Sequence, residues 1–367
     1  MDDGLYIGLI SGTSVDGVDA ALVSFAQGAP ALLCSHLHPF PDALRQDIQN
    51  LFRPSNNEID RLGECDIAVG EIFAEAVESL LGKAGRNAGQ IRAIGCHGQT
   101  IRHRPLAKRP FTLQIGNPYV IAARTGIDVV WDFRRRDMAQ GGQGAPLAPL
   151  FHQAFLASPD ESRVVLNLGG IANVTLLPAD GRMPVAFDTG PANGLMDAWI
   201  QLQRQQSFDA GGQWAATAAA DSKLLQQFLA EPYFQLPAPK STGKELFHLP
   251  WAQQIANLEH YAADVIQATF LALSTESIAT AIEMLGGCER VLACGGGVHN
   301  HTLVTALQQR LGIPVESTAK AGIEPDWVEA MAFAWLAQCH LNNQALVTGP
   351  FTGATAPVLL GSLVPGG

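Results

Sequence analysis

Basic residues are few in this chain of 367: 23 Lys and Arg stand against 34 Asp and Glu, a net charge of −11. Such a balance offers no general basic surface for nucleic acid. The six cysteines, at 34, 65, 96, 288, 294 and 339, form no CxxC pair and no zinc-type spacing with histidine. Small buried thiols in a reducing compartment are therefore expected, and a disulfide framework is not. The opening Met-Asp-Asp-Gly is acidic where a signal peptide is basic. No stretch approaches the ~18 uncharged apolar residues of a membrane span. A soluble, cytoplasmic protein with no membrane and no nucleic-acid partner is the expectation. Phosphate-loop signatures are missing too. The nearest candidate, Ser241-Thr242-Gly243-Lys244, runs into Glu245, and GGGVHN lacks the GxGxxG spacing.

What the chain does have is apolar mass and clustered glycine. Hydrophobic residues reach 47% against 16% charged, a composition that buries a core. A chain this long outgrows one core, so two domains are expected. The 37 glycines gather in SGTSVDG, GGQGAP, LGGIAN and GGG. Glycine so placed lets backbone N–H groups approach an anion that side chains would block. Residues 5–25 read as strand, glycine turn, strand, and RVVLNLGGIANVTLLP repeats that pattern. Residues 58–83 carry apolar positions at helical spacing. IRAIGCHGQTI reads as a buried strand ending at Gly95–His97, and GIDVVWDF as a strand ending at Arg134-Arg135-Arg136. Strand, turn and helix are expected in VAFDTGPANGLMDAWI, with Asp188 at the strand end. A long helix follows over 262–285, then strand, glycine turn and helix in RVLACGGGVHNHTLVTALQQRL. WVEAMAFAWLAQCHL is a last helix, and the tail from Val347 is expected to be irregular. Alternating strands and helices make an α/β protein. Two hairpin openings predict two related halves with a ligand cleft between them.

The order of hairpin, second hairpin and strand–GGG–helix resembles the actin/hexokinase ATPase superfamily, whose domains are ribonuclease-H-like. The likeness sharpens in SGTSVDGVDAAL, IGCHGQTIRH, QIGNP, DFRRRDMAQGGQGAPL, FDTGPANGLMDAW, KSTGKELF, LACGGGVHN and WVEAMAFAWL. These stretches run from end to end of the chain and resemble the anhydro-N-acetylmuramic acid kinase family. The resemblance implies a first domain of residues 1–140 with 325–367 and a second of 141–324. It also implies ATP and Mg²⁺ as cofactors, a homodimer, and a role in peptidoglycan recycling. The expected reaction opens the 1,6-anhydro bridge with water while O6 takes the γ-phosphoryl group, giving N-acetylmuramic acid 6-phosphate and ADP. Another amino-sugar kinase of this fold, or an actin-like ATPase acting on proteins, are the competing readings.

Site residues follow from the resemblance. Asp188 is expected to be the base that activates the water; otherwise it is a turn or helix-cap aspartate. Nucleotide contacts are expected from Gly12, Thr13, Ser14, Val15, Asp16, Gly17, Val18 and Asp19, from Gly169, Gly170 and Asn173, and from Gly295, Gly296, Gly297 and Asn300. Each of these turns also reads as a plain tight turn. Sugar kinases of this superfamily place an aspartate two residues before the first turn's glycine, where this chain has Ile10. Asp16 and Asp19 follow the turn and are expected to hold Mg²⁺ through waters; otherwise Asp16 forms the turn and Asp19 faces solvent. Sugar contacts are expected from His97, Gln114, Asn117, Arg134, Arg136 and Glu329. A guanidinium fork suits the lactyl carboxylate, while strand alternation sends Arg135 away from its neighbours. The bland counterparts are a structural histidine, loop-fixing amides, a solvated arginine run and a favourable first-turn glutamate.

Overall fold

The computed structural model describes residues 4–12, 14–243 and 245–367. The chain divides into two compact units, Met1–Phe151 with Trp327–Gly367, and His152–Asp326.

The first unit is built on a seven-stranded sheet. Its strands are β1 (Leu5–Ser11), β2 (Gly17–Ser24), β3 (Ala31–Pro39), β4 (Ile91–Arg104), β5 (Phe111–Ile115), β6 (Val129–Trp131) and a C-terminal strand, Ser362–Val364. The order is C-terminal strand, β6, β4, β1, β2, β3, with β5 added on β4. β1 pairs antiparallel with β2 and parallel with β4. Both faces of β1 are covered, so LYIGLIS is nearly all apolar instead of alternating. Ile7 and Leu9 join the core beneath helix Glu58–Ala84. Gly8 and Gly95 face helix Val328–Leu341 instead, where a Cβ on either would overlap the carbonyl of Ala330 or Phe333. Small residues on sheet and helix alike let the two backbones close up.

The second unit repeats the plan with β7 (Arg163–Leu168), β8 (Ile171–Leu177), β9 (Val185–Pro191), β10 (Arg290–Cys294) and β11 (Val315–Ser317). Its order, β11-β10-β7-β8-β9, again has an antiparallel meander of three strands flanked by two parallel ones. This is the ribonuclease-H-like order, present once in each unit. Helix Ala263–Met284 is long and apolar enough to cross a membrane by length and composition, yet 78% of its most apolar window is buried. Its residues Ile266, Phe270, Leu273 and Ile278 are part of the unit's own core.

Four expectations need correction. β4 does not stop at Gly95–His97 but continues to Arg104, because its far half pairs with β5. The arginine run is not strand: Arg135–Ala139 is a short helix with Arg134 before it. Asp188 lies inside β9, opposite Asn173 of β8, and not in a turn. The tail carries a helical turn, Gly349–Thr352, and a strand that closes the first sheet by pairing with β6.

Candidate functional site

In the first unit the β1–β2 turn is closed by the Val15 N–H donating to the Gly12 carbonyl at 3.2 Å. Thr13 lies outside the described residues. Val15 is fully buried with φ at +57°, a left-handed conformation that a β-branched residue adopts only under strain. Space beside Gly12 is open: a Cβ there would meet nothing within 4 Å. Ser14 is exposed. Gly17 has a structural reason, since its Cβ would press on the His38 and Pro39 backbone, and the Val18 side chain is core. The Asp16 carboxylate is paired with Arg45 at 2.8 Å. Asp19 stands directly across from Ile10 in the β1–β2 ladder. Cross-strand partners share a face, so Asp19 and Ile10 lie on the same face of the sheet.

The HGQT stretch lies within β4, and Ser11 at the end of β1 donates to Gln99 Oε1 at 2.6 Å. His97 stacks near Phe333, ring centroids 4.7 Å apart. Its Nδ1–H donates to the Gly98 carbonyl at 3.0 Å, and its Nε2 accepts from Arg134 Nε at 2.9 Å. An Nε2 that accepts requires the neutral ring, with its proton on Nδ1. Burial first, and the Arg134 charge second, hold His97 well below its usual pKa. Arg134 also donates from Nη1 to the Gly144 carbonyl at 2.8 Å. Among the described residues, its Nη2 makes no hydrogen bond. Burial draws Arg134 down to about 10, opposed by the charges of Glu329 and Asp137. Glu329 begins helix Val328–Leu341. Its side chain is exposed, and desolvation by the neighbouring protein lifts its carboxyl above the usual range against the pull of Arg134.

His97, Arg134 and Glu329 are thus brought together. Arg136 is not among them: it donates to the Leu359 carbonyl at 3.0 Å, while Arg135 pairs with Asp132. Gln114 spends its amide on Thr100 and Thr112. Asn117 caps helix Pro118–Thr125 and binds Asp66 at 2.8 Å. Asp137, which the sequence reading passed over, is fully buried and organises the glycine-rich loop. It accepts from the Gly144 N–H at 2.7 Å and from Thr352 Oγ1 at 2.8 Å.

In the second unit, half-buried Asp188 is gripped by one segment. Its N–H donates to the Lys240 carbonyl at 3.2 Å, and its carbonyl accepts from the Tyr233 hydroxyl at 2.6 Å. Its Oδ2 accepts from Ser241 Oγ and from the Thr242 N–H, each at 3.0 Å. Burial raises the Asp188 carboxyl above the usual range, the two donors counter it, and the Glu245 charge adds to the rise. A carboxyl raised in this way holds a proton more tightly than a surface aspartate does.

The two glycine turns of this unit are joined. The N–H groups of Ala192 and Gly194 donate to the Gly170 carbonyl, and that of Asn193 to Gly169, all at 3.0 Å. The Asn193 side chain accepts from Asn300 Nδ2 at 3.0 Å and reaches the Gly169 carbonyl at 3.4 Å. Asn300 caps helix His301–Leu311. Gly295 has φ +78°, Gly297 packs against Leu168 and Asn193, and Gly296 faces open space. The bridging Asn193 was missed in the sequence, although it stands in FDTGPAN.

Comparison with known proteins agrees across the chain. A family model described as anhydro-N-acetylmuramic acid kinase matches residues 4–366. The chain is 49% identical over 367 residues to the anhydro-N-acetylmuramic acid kinase of Shewanella halifaxensis, covering 100% of both. It is 48% identical to that of Shewanella pealeana at the same coverage. With the enzyme so named in Saccharophagus degradans the identity is 46%, covering 99% of each chain.

Proposed function

Since the chain belongs to the anhydro-N-acetylmuramic acid kinase family and has its ATP-dependent kinase activity, we propose that Asp188 is the base of the reaction and that Arg134 and Glu329 bind the sugar. The bridge oxygen O6 of the 1,6-anhydro sugar carries no proton, so the base acts on water. Asp188 takes a proton from a water whose oxygen bonds to C1. The C1–O6 bond breaks with its electron pair going to O6. O6 then takes the γ-phosphoryl group, and the bond from phosphorus to the β-phosphate oxygen breaks to release ADP. Positioning and charge stabilisation supply most of the acceleration in such a transfer.

The observation that carries this reading is the carboxylate of Asp188, half-buried within β9 with one oxygen held by two donors. The turn or cap role has no support, because Asp188 lies within a strand and not at a helix start. Arg134, fixed through Nε and Nη1, suits the lactyl carboxylate with its remaining nitrogen. On this reading the open backbone at Gly12 and at Gly296 contacts the nucleotide. Magnesium fits the first hairpin: that ion needs only one or two carboxylates beside phosphate oxygens, and Asp16 and Asp19 both stand there, Asp16 paired with Arg45. Bound there, Mg²⁺ supplies charge neutralisation to the phosphates. A cytoplasmic homodimer completes the reading, and its mass in solution by light scattering tests the dimer.

Asp188→Asn is expected to keep sugar binding and lose turnover by at least about 10³-fold. Near-normal turnover would sink the assignment. Reaction in H₂¹⁸O tests the coupling: label is expected at the product's anomeric oxygen, and its absence means a simple kinase.

A further inference from the structure

We propose that Ser241 is a positioning residue for the hydrolytic half of the reaction: with the Thr242 amide it fixes Oδ2 of Asp188 and leaves Oδ1 to receive the water's proton. The inference rests on the reading of Asp188 as base. A carboxylate turns about Cβ–Cγ in a broad, two-fold well, so its two oxygens ordinarily exchange. Here both donors converge on one of them, Ser241 Oγ and the Thr242 N–H each at 3.0 Å from Oδ2. Among the described residues, no donor reaches Oδ1. One lone-pair set is thereby occupied and the other is free for water.

The donors rest on a frame. The Asp188 N–H and carbonyl are tied to Lys240 and Tyr233 of the same segment. Lys240 Nζ donates to the carbonyls of Tyr233 at 3.0 Å and Phe234 at 3.3 Å, and lies 4.7 Å from the Tyr233 ring centre. Ser241 itself is exposed and fills no core space. A hydroxyl in that position has no packing role, which leaves the bond to Asp188 as its reason.

The test compares wild type, Ser241→Ala, Ser241→Thr and Asp188→Asn, measuring kcat, both KM values and the pH dependence of kcat with the anhydro-sugar and ATP. Ser241→Ala is expected to lower kcat about 10- to 100-fold, the weight of a hydrogen bond to a charged group, with both KM values within about twofold. The acidic limb of its kcat profile is expected to move to higher pH, because a donor to the ionised carboxylate is gone. Ser241→Thr is expected to restore both. Wild-type kcat and limb in Ser241→Ala overturn the proposal. So does a lower kcat whose limb stays in place and which threonine does not rescue, since that describes mere loop support. An active Asp188→Asn removes the underlying assignment instead; an inactive one beside an unchanged Ser241→Ala removes only this inference.

Discussion

A methyl group added at Gly95 probes the seat of helix Val328–Leu341 and, through it, Glu329. The new Cβ would lie 2.6 Å from the Phe333 carbonyl carbon and 3.1 Å from Ala337 Cβ, where ordinary contact begins at 3.4 Å. The same Cβ would overlap the Phe333 carbonyl oxygen outright, so the helix must retreat by more than about 1 Å or the sheet must bend. Neither is free to do so, because the helix is buried on nearly every side. Overpacking of this kind costs about 1–3 kcal/mol. In a unit of this size each kcal/mol lowers Tm by about 2–4 °C, so a drop of roughly 2–12 °C is expected. The same retreat moves Phe333, whose ring lies 4.7 Å from that of His97, and Glu329 one turn earlier. A shift near 1 Å can cost about 10²-fold in a reacting geometry, so kcat/KM for the sugar should fall by about 10- to 100-fold. Scanning calorimetry and steady-state kinetics on Gly95→Ala read both. Gly8→Ala repeats the test one strand over, against the Ala330 carbonyl carbon at 2.7 Å and the Ala334 nitrogen at 2.8 Å. Unchanged Tm and unchanged sugar kinetics in both variants would refute the close-packed seat.

Two further outcomes complement it. Gly12→Ala adds a Cβ that meets nothing within 4 Å, so Tm should hold within about 1 °C while the KM for ATP rises severalfold; a normal KM would remove Gly12 from the nucleotide site. His152 is buried, hydrogen-bonded to Thr175 at 3.0 Å, and drawn by burial from 6.5 to about 3. Its folded pKa is depressed, so its stabilising term is present above about pH 6.5 and lost as pH falls towards 3. Urea unfolding at pH 7 and pH 5 should show about 2 kcal/mol less acid sensitivity in His152→Gln; equal sensitivity would mean His152 is charged when folded.

Much of the fold was legible because it is written in local pattern. The two hairpins, the helices near 58–84 and 263–284 and the glycine turn at 295 each declare themselves by apolar period and turn chemistry. The arginine run was harder, because three consecutive arginines have no apolar period to show helix from strand. Asp188 looked like a turn residue because Thr-Gly-Pro follows it, whereas the ladder with Asn173 carries the strand on to Pro191. Within the candidate site the residue types were readable and their commitments were not. Nothing local tells that Gln114 and Asn117 are engaged by Thr100, Thr112 and Asp66. Nor can spacing show that Asp137 meets Thr352, or that Asn193 meets Asn300. Pairs so distant in the chain are set by tertiary packing, and only the stretches that carry them could be flagged.

The placement of His152–Asp326 between the two parts of the first unit also sets a timetable for synthesis. When Phe151 leaves the ribosome, β1 to β6 exist but the helix that covers Gly8 and Gly95 does not. The whole intervening segment must be made first, roughly 10–35 s at about 5–20 residues per second. The second unit has its own strands and core and can fold in that interval. The first unit waits with an apolar sheet face uncovered, so the nascent chain is at its most aggregation-prone in the middle of translation.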